Sequence, residues 1–215
     1  MTQKERQARS REEIYQAALE EFGTRGYDPV NMERICSQHG ISKGMMYHYY
    51  SSKDELFLLC VERTFADLRA YIEQDWKAPG STAPLESIQS YFMIRECFFQ
   101  RHPRQKVVFE SAMLRPPKHL AEQIRALHAP LREMNRRFLE QLAAHAALRP
   151  GVDQKKVIRY LESVEHVFRN MLLHDQDASA AQDLHTMLAA AGEMLDMVLF
   201  GVLQQPDMPT KPSPQ

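Results

Sequence analysis

Lys43, Tyr47 and His48 fall close together in the string SKGMMYHYY, which begins at Ser42. A cation, a phenol and an imidazole at this spacing are hydrogen-bond donors suited to a polyanion. Ser42 opens a helical pattern, and the free N–H groups of a helix start favour a phosphate. Lys53, in the first turn of the next pattern, offers a second such point. Gly44 leaves the backbone open to close approach, and Met45 is an apolar chain that can touch a thymine methyl.

Such side chains work only if the backbone holds them on one side. Met32, Ile35, Cys36 and His39 recur at helical spacing after Asn31, a good N-cap. Gly40 then supplies the left-handed residue that ends a helix. Ser42 caps a second short helix, and Ser52 with Glu55 forms a capping box for a longer one carrying Leu56, Leu59, Cys60, Phe65, Leu68 and Ile72. The helices at 32–39 and 43–50 are too short to stand alone, since helices under about 12 residues are marginal in water. They need the preceding helix, with Ile14, Ala17, Ala18 and Phe22 on one face, and the following one as supports. Met46, Tyr49 and Tyr50 are expected to face inward, which turns Lys43, Gly44, Met45, Tyr47 and His48 outward. Two short helices joined by a glycine-containing turn fit a helix-turn-helix, whose second helix enters the major groove.

The segment GYDPVNMERICSQHGISKGMMYHYYSSKDELF resembles the DNA-binding domain of the TetR (tetracycline repressor) family. The marks are AALEEFGTRGY, Ile35 before a small residue, Gly40-Ile41-Ser42-Lys43-Gly44, Tyr47-His48-Tyr49-Tyr50 and Ser52-Lys53-Asp54-Glu55-Leu56, covering about residues 11–57. Cys36 stands where that family usually has alanine. Met45 and Met46 replace Thr or Ser and Leu or Val, so Met45 carries no hydroxyl for a base or phosphate. The resemblance implies a two-domain, all-helical repressor that binds palindromic operator DNA as a homodimer and is released by a small-molecule effector. Carried onto these positions, Ser42, Lys43, Tyr47, His48 and Lys53 contact phosphates, and Gly44, Met45 and His48 lie nearest the bases. Arg9 and Arg11, taken as preceding the first helix, are assigned to the minor groove or backbone.

Beyond residue 57 the periodicity stays helical, and no hairpin signal or internal repeat interrupts it. Breaks fall at KAPGSTAP, His102-Pro103, Pro116-Pro117, Pro130 and RPGVD. The fold class is all-α. The expected organisation is a DNA-binding domain at 1–52, an effector-binding and dimerisation domain at 53–205, and a proline-rich disordered tail at 206–215. Two long amphipathic helices at 154–174 and 181–204 are the expected dimer interface, pairing with their mates in a four-helix bundle as the resemblance implies. Among the aromatic and methionine-rich middle helices, Arg95, Glu110, His166 and Arg169 are the candidate polar anchors of a ligand cavity. The sign of the ligand's charge stays open.

Other function classes find little support. The chain has no glycine-rich phosphate loop, GxSxG, HExxH or CxxC, so no catalytic residues and no cofactor are assigned. Glu162 and His166 lie at i, i+4, but a metal needs three or four converging ligands, and no metal site is expected. Cys36, Cys60 and Cys97 are widely spaced and read as reduced. No apolar run reaches the roughly 18 residues of a membrane span, and MTQKERQARSREE lacks a signal-peptide core, which points to the cytoplasm. A net charge of −1 excludes wholesale coating of nucleic acid but not a local basic face. The competing reading is a helical ligand-binding or scaffold protein without DNA binding.

Overall fold

A computed structural model describes residues 2–75, 84–145, 153 and 155–159. All regular structure among the described residues is helical, in agreement with the all-α expectation. The order is α1 (Gln3–Arg25), α2 (Met32–His39), α3 (Lys43–Tyr49), α4 (Lys53–Asp75), α5 (Pro84–Arg101), α6 (Pro103–Met113), a 3-10 turn at Lys118–Leu120, α7 (Ala121–Leu127) and α8 (Ala129–His145). The expected helices at 154–174 and 181–204 lie almost wholly outside the described residues, as does the tail.

The breakers act as their chemistry requires. Pro84 and Pro103 take the first positions of α5 and α6, where the missing N–H removes no helical bond. Pro130 sits in the first turn of α8, so the stretch from 118 to 145 divides at His128 rather than bending. Helix α1 starts earlier than its apolar face suggests. Thr2 and Glu5 form a reciprocal capping box, the Thr2 N–H donating to Glu5 Oε2 at 2.9 Å and the Glu5 N–H to Thr2 Oγ1 at 3.2 Å. Arg9 and Arg11 therefore lie inside α1, not on an arm before it, and Arg9 pairs with Glu13 at 3.1 Å.

The chain divides into two compact units, residues 1–76 with 93–134 and residues 77–92 with 135–215. The first is centred on Ile14, Phe22, Ile35, Met46, Leu56, Phe57 and Leu68, all essentially inaccessible to solvent. Its α4 also stacks Phe65 against Phe109 at 5.8 Å and against His128 at 5.2 Å, and Phe109 in turn meets Phe99 at 4.9 Å. Aromatics expected around a cavity, Phe99 and Phe109, are thus packed on one another here. Gly23 lets α1 and α6 touch. A Cβ at that position would lie 2.5 Å from Arg104 Cβ and 2.8 Å from its Cα. Glu20 and Arg104 form an ion pair beside this contact. In the second unit Tyr91 stacks on Phe138 at 3.8 Å and donates to Asn135 Oδ1 at 2.7 Å.

No described helix is long and apolar enough to cross a membrane. Cys36, Cys60 and Cys97 are free thiols, the first two buried.

Candidate nucleic-acid interface

Three local devices shape the pair α2–α3. Asn31 is extended and its Oδ1 accepts the Arg34 N–H at 2.8 Å, starting α2. Gly40 ends it at φ 65° and ψ 22°, a left-handed conformation that a side chain would strain. Its N–H and that of Ile41 both donate to the Cys36 carbonyl. Ser42 starts α3, its Oγ accepting the Met45 N–H at 3.1 Å. All three caps coincide with those expected from the residues.

Only Met46 of α3 is fully buried, with no accessible surface. Lys43, Gly44, Tyr47 and His48 are exposed, and Met45 is half-buried. Tyr49 and Tyr50 differ from expectation. Both are half-buried: Tyr49 is the last residue of the helix, and Tyr50 is its extended C-cap. The Tyr49 ring meets His48 edge-on at 4.7 Å, and the Arg11 guanidinium lies 5.5 Å from its centre. Nothing lies within 4 Å of where a Gly44 Cβ would sit, so this glycine opens the outer face rather than answering a packing demand.

Lys53 is placed differently from the others. Its ammonium donates to the carbonyls of Tyr27, Asp28 and Val30 at 3.2, 3.2 and 3.0 Å, and lies 4.0 Å over the Tyr27 ring. All three of its donors are occupied in tying α4 to the connector between α1 and α2. The capping box at Ser52 is half formed. Ser52 Oγ accepts the Glu55 N–H at 3.2 Å, but the Glu55 carboxylate reaches back to the N–H of Ser51, at 2.8 Å, and not to that of Ser52.

Several polar groups that sequence patterns do not flag set this geometry. Asp54 accepts from the Tyr27 hydroxyl and lies 3.0 Å from His119 Nε2. Burial and the Asp54 bond push the Tyr27 phenol well above its ordinary range, while that same bond holds the Asp54 carboxyl low. Glu21, buried on α1, receives Arg34 Nε at 2.6 Å, His39 Nε2 at 3.4 Å and Arg25 Nε at 3.5 Å. Burial raises the Glu21 carboxyl, but the hydrogen bonds and charges led by Arg34 outweigh it, and the net shift is downward. A depressed folded value means the stabilisation is present above the unfolded value near 4.5 and is lost as pH falls through the folded one. Glu21→Gln should therefore lose stability less steeply than wild type over the acid range of about pH 5 to 3, measured by denaturant unfolding across that range.

Arg95 and Glu110, two of the four ligand anchors, lie on α5 and α6. Arg95 is buried, and Glu110 is half-buried with Lys106 Nζ 3.8 Å away. His166 and Arg169 fall outside the described residues. Among the described residues no group of three metal-binding side chains converges.

Two short helices with these caps, packed against α1 and turning Lys43, Tyr47 and His48 outward, form a helix-turn-helix. Residues 14–60 match the family model for bacterial regulatory proteins of the tetR family. The helix-turn-helix segment is similar to that of the TetR family. The HTH-type transcriptional repressor KstR2 of Mycobacterium tuberculosis is 28% identical over 167 residues, which cover 73% of this chain and 78% of that one. A SmeT–triclosan complex, 21% identical, shares the fold with a TM-score of 0.58 over 96% of this chain and 99% of its own. A TetR-family regulator from Agrobacterium tumefaciens, 19% identical, gives 0.60 over 89% and 98%.

Proposed function

We propose that this chain is a TetR-family regulator, a cytoplasmic repressor that binds a palindromic operator as a homodimer and is released by a small-molecule effector. The observation that carries the proposal is the outer face of α3, where Lys43, Gly44, Tyr47 and His48 stand exposed around one buried side chain. On this reading Ser42, Lys43, Tyr47 and His48 meet phosphates, and Gly44, Met45 and His48 lie nearest base edges. Lys53 is the further phosphate candidate, at the first turn of α4, where it also holds the connector in place. A helix of this length makes too few contacts for specific affinities of about 10⁻⁸ M or better. A symmetric pair, with α3 and its mate about 34–36 Å apart, supplies two half-sites.

Residues 1–52 serve as the DNA-binding domain, residues 53–205 hold the effector and the dimer interface, and residues 206–215 form the tail. Arg95, Glu110, His166 and Arg169 are the proposed effector anchors. Two relatives favour a ligand-released repressor: KstR2 is named a repressor, and SmeT was captured with triclosan. Release follows if the effector binds more tightly to an arrangement whose α3 helices are misspaced, since a ligand shifts an equilibrium only by its differential affinity. A thermal-shift screen of small acids, cations and apolar compounds identifies binders, and each is then titrated into the DNA complex. A cognate effector is expected to weaken DNA binding by about tenfold or more. If every tight binder leaves DNA affinity unchanged, the switch is absent.

A further inference from the structure

We infer that Glu33 acts as a sequence-independent brake on DNA binding, by engaging the Lys43 ammonium and placing a carboxylate at the edge of the DNA-facing surface. The inference rests on the proposed reading of α3 as the DNA-contacting helix. Glu33 lies in the first turn of α2, and its Oε1 accepts from Lys43 Nζ at 2.8 Å. Both side chains are mostly exposed, 71% for Glu33 and 65% for Lys43, so neither is needed to fill the core. The mutual bond draws the Glu33 carboxyl down and the Lys43 ammonium up from their ordinary values, so both are charged at neutral pH.

Arg34, the next residue, turns the other way and closes on buried Glu21. The first turn of α2 thus commits its one cation inward and leaves its one carboxylate outward, against the foremost lysine of α3. A phosphate approaching Lys43 meets that carboxylate well within a Debye length of about 8–10 Å. For Lys43 to bind it, the Glu33 bond must be exchanged, and Glu33 stays beside the new anion. Phosphates repeat identically along any duplex, so this opposition does not depend on sequence. It lowers the affinity for every site and leaves discrimination to the base contacts.

The test uses the full chain and two duplexes long enough to span both half-sites. One is of mixed sequence; the other is a site selected by the wild-type protein from a random pool. Glu33→Gln keeps the size and removes the charge. It should bind both duplexes more tightly, with one more unopposed positive charge on each chain steepening the salt slope by about 0.9 per chain, about 1.8 for the proposed pair. Between 50 and 200 mM salt that slope amounts to an extra loss of affinity of about twelvefold. In a Lys43→Gln background the same substitution should give less than half the gain. A gain confined to one sequence would mean that Glu33 reads a base, and weaker binding would mean that it positions Lys43. Either result overturns the brake, as does an undiminished gain without Lys43. If wild type binds with a steep salt slope and Glu33→Gln matches it, this inference alone fails. If wild type ignores both duplexes at low salt, the reading of α3 fails instead.

Discussion

Replacing Lys43 and Tyr47 together by alanine is expected to weaken binding to duplex DNA by about 100-fold or more while leaving the helical fold and its melting temperature unchanged. The expectation of an intact fold follows from position. Lys43 is exposed and its Glu33 partner lies on the surface; the Tyr47 ring is about half in solvent, at 53%. An exposed ion pair contributes on the order of 0–1 kcal/mol to folding, so its loss is minor. Binding loses a charge-assisted phosphate contact and a second donor on the same face. The lysine also leaves a separate signature, a salt slope shallower by about 1 per chain, about 2 for the proposed pair. Fluorescence anisotropy at several salt concentrations, beside a circular dichroism melt, checks all three expectations. An undiminished affinity would remove these two residues from the interface.

Met46→Ala should act in the opposite way, through the fold. A seven-residue helix has almost no stability of its own. It is held by its caps and by this one fully buried side chain. Removing a buried methionine side chain to Cβ costs on the order of 2–5 kcal/mol. The loss falls on the segment that carries Lys43, Tyr47 and His48, so DNA affinity and stability should drop together. Met46→Leu, close in volume, should restore both to within about 1.5 kcal/mol. Urea titrations of the three proteins, with DNA binding measured on each, separate this behaviour from that of the Lys43/Tyr47 variant. If Met46→Ala bound DNA normally, α3 would not depend on its core contact.

The contrast between these variants follows what the residues alone could reveal. The Asn31 and Ser42 caps and the Gly40 stop act within three or four residues, so neighbouring chemistry determines them and the chain shows them directly. The outward set on α3 follows from helical spacing once Met46 is placed inside. Tyr49 and Tyr50 escape that logic because the helix ends there; spacing predicts a face only while the helix lasts. The place of Lys53 in the first turn of α4 marks it as a candidate phosphate donor. Its actual acceptors are carbonyls 23 to 26 positions back, which no local pattern indicates.

Longer-range partners were hidden for the same reason. His119 is 65 positions from Asp54, and only the folded connection after Pro116-Pro117 brings them together. Glu21 sits on the apolar side of α1, where a carboxylate breaks the hydrophobic pattern. Its role becomes visible only when Arg25, Arg34 and His39 surround it. Apolar spacing places Arg9 and Arg11 on an arm because the apolar face begins at Ile14, whereas the helix begins with the Thr2–Glu5 box. Caps, not apolar periodicity, decide where that helix starts.

The central claim, that α3 is presented to the major groove twice through a symmetric pair, is tested most directly by site selection from a random duplex pool, with the stoichiometry of the selected complex read by analytical ultracentrifugation. The account predicts an enriched inverted repeat, half-sites one helical turn or a multiple apart, bound by a two-fold symmetric pair of chains. An unenriched pool, or a lone half-site bound by a single chain, would contradict it.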